Sequence, residues 1–317
     1  MKNSKKAFIL FEAGLAILAA AVGIIMLWGR NDRKLDRIAV IVQASDDSQW
    51  AAFQYGLKKA AIDEELELYV VKTSSVVSMK EEEELIEREI ANSADAVVIQ
   101  PVFEEETESV LKKIESRIPV VLVESSASAD RESSLLPVIQ ADNYAMGAAA
   151  AAELIRDYEG SLEGKTLAVV SQDSISEAFL DRKKGLLDTL NDTGVTIFQT
   201  ELQMLEEGNV KAEIIVALDN AGLITAGKCS AANDLHGALV YGIGKSTEAV
   251  YYLDIGAVEC LIIPDEFAMG YQSIVEISKC LGNPFYQIQS SMIPYTVMRR
   301  DDLFLEENQE ILFMTSQ

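Results

Sequence analysis

Runs such as Ile38–Val42, Ala96–Ile99 and IPVVLV (118–123) are apolar throughout, with no polar alternation. A strand with one wet face alternates, so strands of this kind must be covered on both faces, as in a parallel sheet with helices on either side. The intervening segments have helical spacing. Trp50, Phe53, Leu57 and Ala60 recur every three or four residues, and MKEEEELIEREIANS (79–93) carries Leu85, Ile86 and Ile90 on one stripe. Helical spacing recurs over Val110, Leu111 and Ile114, and another strand is expected over Leu66–Val71.

The pattern restarts after VIQADN (138–143). YAMGAAAAAELIRDY, LAVVSQDS, AFLDRKKGLLDTL, VTIFQ, EIIVALDN, AGLITAGKCSAA and ALVYGIG follow as alternating helices and strands. AMGYQSIVEISKCL and PYTVMRR complete the chain. This predicts two doubly wound α/β units of similar layout. Between VTIFQ and EIIVAL only TELQMLEEGNVK remains, close to the ~10–12-residue minimum for a parallel crossover. One helix of the second unit is therefore expected to be short or missing.

Composition narrows the function. The 317 residues hold 27 Lys and Arg against 51 Asp and Glu, a net charge of −24. Nucleic-acid binding needs clustered cations that release phosphate counterions, so that class is excluded. Cys229, Cys260 and Cys280, with His236 as the single histidine, offer no zinc or redox spacing. A Cys229–Cys260 disulfide and buried free thiols are both open on sequence. No cofactor, metal cluster or activated nucleophile is visible. Asp46 and Asp47 are adjacent, but glycoside cleavage needs two carboxylates at a set spatial separation, so catalysis is not expected.

Ala7–Trp28 is apolar except for Glu12, long enough to span a bilayer as a helix at about 20 residues. It exceeds a signal-peptide core, lacks an A-x-A site before RNDRKLDR, and has no nearby cysteine for lipidation. Residues 1–35 are read as an uncleaved single-pass anchor. Lys2, Lys5 and Lys6 on one side oppose Arg30, Arg33, Lys34 and Arg37 on the other, so charge alone leaves the topology open.

From about Ile38 onward, the ordered set IAVIVQASDDSQWAAFQYGLKKAA, ADAVVIQPV, IPVVLVES, ADNYAMG, DRKKGLL, IIVALDNAGLITAG, ALVYGIG and IPDEFAMGYQS resembles the type I periplasmic-binding proteins. The likeness is specifically to their ribose- and galactose-binding, LacI-related branch. That resemblance implies two lobes, 36–141 plus 265–292 and 142–264 plus 293–317, joined by three crossings near Asp142, Pro264 and Met292. A small sugar-like ligand would sit in the cleft between them, beyond the carboxyl ends of the strands. The anchored domain would lie outside the cytoplasm and serve an ABC-type permease or a membrane sensor kinase.

The resemblance implies ligand contacts at Asp47, Trp50, Gln100, Glu124, Arg182, Asp219 and Asn220. Trp50 either stacks on a ligand ring or packs under its own helix. Asp47 either accepts ligand hydroxyls or caps that helix. Arg182 either offers its planar fork to the ligand or pairs with Asp181 or Glu177. Asp219 and Asn220 reverse the family's usual Asn-Asp order, so either can face the ligand. Asp142 is assigned to capping, and Gly147 to close helix packing. Three family polar positions are lost, at Ser125, Gly244 and Pro264. That loss keeps a second reading in view, a degenerate binding fold acting as a ligand-free co-receptor or interaction module.

Overall fold

The computed structural model describes residues 35–43, 51–73, 78–102, 106–126, 136–172 and 176–313. Arg37–Gln317 forms one compact unit, and the apolar run at 7–28 lies outside the described residues. Among the described residues, no helix is long and apolar enough to cross a membrane.

The first half runs β1 (Arg37–Gln43), α1 (Ala51–Asp63), β2 (Glu67–Thr73), α2 (Met79–Ala91), β3 (Ala96–Ile99), α3 (Thr107–Glu115), β4 (Val120–Val123) and β5 (Val138–Ala141). The second half runs α4 (Asn143–Asp157), β6 (Thr166–Val170), α5 (Glu177–Leu190), β7 (Thr196–Thr200), α6 (Leu202–Glu206), β8 (Ile214–Ala217), α7 (Asn220–Ala231), β9 (Leu239–Ile243), α8 (Thr247–Asp254) and β10 (Cys260–Pro264). Then come α9 (Glu266–Gly282), β11 (Ser291–Ile293), β12 (Tyr295–Met298) and α10 (Glu306–Phe313).

Two six-stranded sheets result, in the orders β11-β5-β4-β3-β1-β2 and β12-β10-β9-β8-β6-β7. All ladders are parallel except β12 against β10. The chain passes between sheets after Ala141, after Pro264 and between Ile293 and Tyr295. β3, β4, β5 and β8 are buried at every residue, which is what apolar residues on both faces require. One core runs through both halves and includes Val40, Val98, Met146, Val169, Val216 and Met269. Separate cores cover the other face of each sheet.

The short crossover is real: between β7 and β8 the chain makes only the five-residue α6. Cys229 and Cys260 are buried free thiols.

The helices that follow the first two crossings start alike. Asp142 caps α4 by accepting from the Ala145 N–H at 3.0 Å, and Asp265 caps α9 by accepting from the Ala268 N–H at 2.8 Å. Each cap opens a D-x-x-A-M-G stretch, 142–147 and 265–270. The glycine of each stretch permits backbone contact with a partner helix. A Cβ on Gly147 would lie 1.8 Å from the Arg182 carbonyl oxygen, and one on Gly270 2.2 Å from that of Phe53.

Candidate functional site

Helix N-termini and strand ends converge on a small cavity between the sheets. Among the described residues it is lined by polar Glu124, Asn143, Arg182, Asn220, Lys245 and Glu266, with Ile243, Pro264 and Met269 as the main apolar wall. Every one of these except Arg182 and Met269 lies within three residues of a carboxyl strand end, the place where open α/β sheets receive ligands.

Glu124 is aimed by its backbone. It follows β4 with φ of +68°, and the Ser125 N–H bonds back to the Val123 carbonyl at 2.8 Å. This pairing is that of a γ-turn with positive φ, a rare and strained form that clusters at functional sites. One carboxylate oxygen accepts from Gln100 Nε2 at 2.7 Å, while Gln100 Oε1 accepts from the Gln43 N–H at 3.1 Å. Gln100 therefore ties three strand ends together and holds Glu124. It does not itself line the cavity.

Arg182 enters from α5, whose backbone rests on Gly147. Its Nε donates to Asn143 Oδ1 and a terminal nitrogen donates to the Leu218 carbonyl, both at 2.8 Å. Neither Asp181 nor Glu177 pairs with it. Glu177 instead accepts from the Ser126 N–H at 2.9 Å, a bond between the loop after β4 and the start of α5.

Asp219 and Asn220 separate. Asp219 caps α7, accepting from the Gly222 N–H at 2.7 Å, and its second oxygen accepts from Ser171 Oγ and from the Gln172 N–H at 2.7 Å. Asn220 lines the cavity, and its buried Oδ1 has no hydrogen-bond partner among the described residues. Asp47 and Trp50 lie outside the described residues.

Two cavity residues were not foreseen. Gly244 and Pro264 stand where side-chain polarity was expected, but the next residue after Gly244 and the second after Pro264 supply it. Lys245 and Glu266 both line the cavity and make no ion pair or hydrogen bond with a described residue. The repeated D-x-x-A-M-G was the available signal, since it puts Glu266 in register with Asn143.

The electrostatics are those of a nearly dry, charge-balanced chamber. Desolvation raises Glu124, and Arg182 opposes the shift. Desolvation lowers Arg182 against the pull of Glu124, Asp219 and Glu266, and lowers Lys245 against Glu266 and Asp265. Glu266 is pushed from its ordinary 4.5 up to about 8, chiefly by desolvation and then, against Lys245, by Glu124. Between those values the folded state holds a proton that the unfolded state has lost, so stability falls as pH rises through that window. Glu266→Gln removes this cost. It should raise the thermal midpoint by roughly 3–6 °C at pH 8.5, with the gain fading to nothing near pH 5. Thermal melts across that range check it.

The cavity measures about 40 Å³. At ~10–15 Å³ per water it has room for a few waters, well short of the ~300–1,000 Å³ of small-molecule pockets. Among the described residues there is no cluster of His, Cys, Asp and Glu suited to a metal ion.

Known structures share this architecture. The glucose-galactose binding protein GanP from Geobacillus stearothermophilus is 19% identical, with a TM-score of 0.73 over 86% of this chain and 100% of that one. A carbohydrate transporter solute binding protein from Agrobacterium radiobacter, in complex with D-arabinose, is 16% identical, with a TM-score of 0.75 over 89% and 100%. An ABC transporter solute binding protein from Agrobacterium vitis with bound D-fucose is 20% identical, with a TM-score of 0.72 over 86% and 98%. No curated protein matches the chain in sequence. Residues 38–282 match the family described as periplasmic binding protein domain, and with two mainly parallel sheets around a polar cavity the chain belongs to that binding-protein family rather than to an enzyme family.

Proposed function

We propose that this chain is an extracytoplasmic solute-binding protein for a sugar or sugar-like small molecule, tethered by residues 1–35 and serving an ABC-type permease or a membrane sensor kinase. The observation that carries it is the polar cavity at the strand ends, where carboxylates, amides and cations stand around an apolar wall, the mixture that hydroxyls and a C–H face require. The sugars named with the structural neighbours support the ligand class; at 20% identity or less those neighbours establish fold alone. Lobes of 36–141 plus 265–292 and 142–264 plus 293–317 would part at the crossings to admit ligand and close over it. Asp47, Trp50, Gln100, Glu124, Arg182, Asp219 and Asn220 are the proposed ligand set, with Gln100 and Asp219 acting by holding their neighbours. Tethering raises the effective concentration of the domain at its membrane partner.

The small closed cavity and the Ser126–Glu177 bond favour one alternative, a ligand-free interaction module for a membrane signalling protein. Thermal melts of the full chain in detergent micelles separate the two. With 1 mM D-galactose, D-glucose, D-arabinose or D-fucose, the solute-binding reading expects at least one sugar to raise the midpoint by several degrees, as about 2.7 kcal/mol accrues at a hundredfold excess over Kd. No shift with any of them would transfer the weight to the interaction module.

A further inference from the structure

The polar groups of the cavity divide into two kinds. Arg182 is already held by Asn143 and the Leu218 carbonyl, and Glu124 by Gln100. Their directions are set before any ligand arrives. Lys245 and Glu266 are different, because each faces the cavity with no ion pair or hydrogen bond to a described residue. Both line the same cavity and form no ion pair with each other. Asn220 Oδ1, in the same wall, is buried and also lacks a donor. A native structure rarely leaves such groups unmatched unless something else supplies the partner.

We propose that Lys245 and Glu266 are the specificity-determining pair of this cavity, reading a single ligand hydroxyl that accepts from Lys245 Nζ and donates to the Glu266 carboxyl. The inference rests on the solute-binding reading. A hydroxyl is the small group that gives and takes at once. A ligand lacking it would leave both side chains desolvated and unmatched, which is how polar sites reject deoxy analogues. Gly244 makes the geometry possible. Its φ of +147° suits glycine, and a Cβ there would lie 2.9 Å from Asn220 Oδ1, so the polar side chain is displaced one residue onward to Lys245.

Isothermal titration of the full chain in micelles with D-galactose, D-glucose, D-fucose and D-arabinose tests the pair; galactose and fucose differ by one hydroxyl. Lys245→Met and Glu266→Gln should each weaken the best-bound sugar at least tenfold and compress the spread across the four to within threefold. Lys245→Arg, which keeps the charged donor, should retain the ranking. Unchanged affinities, or a uniform loss that preserves the ranking, would overturn the assignment and leave the solute-binding reading standing. A wild-type protein that binds none of the four sugars would overturn both.

Discussion

Gly147→Ala is expected to lower the thermal midpoint by about 6–12 °C, the consequence of roughly 3 kcal/mol of overpacking in a chain of this size. The new Cβ would lie 1.8 Å from the Arg182 carbonyl oxygen and 2.6 Å from its carbonyl carbon, against rigid backbone rather than a side chain that can swing away. The contact is reciprocal, since a Cβ on Gly185 would meet the Tyr144 carbonyl at 2.0 Å. The α4–α5 pair can accept neither methyl without separating. Separation would move Arg182, so ligand affinity should fall with stability. Gly282→Ala is the control: a Cβ there meets nothing within 4 Å, and its midpoint should stay level or rise slightly. Circular dichroism melts of both variants decide the matter, and a Gly147→Ala midpoint within 2 °C of wild type would show that the helices can part at little cost.

The same glycine shows what the sequence made legible. ADNYAMG announces a capped helix with a close-packing glycine at a crossing, and the structure has all three. The two-sheet architecture followed from strands without polar alternation, and the stunted crossover followed from counting residues between two of them. These features depend on local periodicity and chain length, which a sequence carries directly. Side-chain direction beyond a strand end does not. Glu124 reaches the cavity only through a positive-φ turn that no residue type there demands, and Asp219 turns away because three donors capture it. Asp47 and Trp50 lie outside the described residues, so the first-lobe edge of the cleft stays a proposal. Gly244 and Pro264 suggested lost polarity, because a position-by-position comparison cannot see that Lys245 and Glu266 reach the same space from one and two residues further on.

Arg182→Ala should destabilise the protein by about 2–4 kcal/mol at pH 8, with a thermal midpoint lower by roughly 6–12 °C. Two costs add. The Leu218 carbonyl and Asn143 Oδ1 lose their donor, at about 1–3 kcal/mol for each group left unmatched. Glu124 also loses the cation that opposes its desolvation. Its folded-state pKa, already raised, would rise further, so the folded protein would hold a proton over a wider span of pH than the unfolded chain. Stability is then lost as pH climbs through that span and recovered on acidification. The deficit of Arg182→Ala should therefore shrink on going from pH 8 to pH 5. Adding Glu124→Gln removes one of the two carboxyls that Arg182 faces, and the double variant should show a smaller deficit whose change with pH is reduced to the part carried by Glu266. A double-mutant cycle of melts at the two pH values isolates the coupling. If the single variant's deficit were the same at both, Arg182 would be acting through its hydrogen bonds alone, and the charge balance across the cavity would carry no part of the fold's stability.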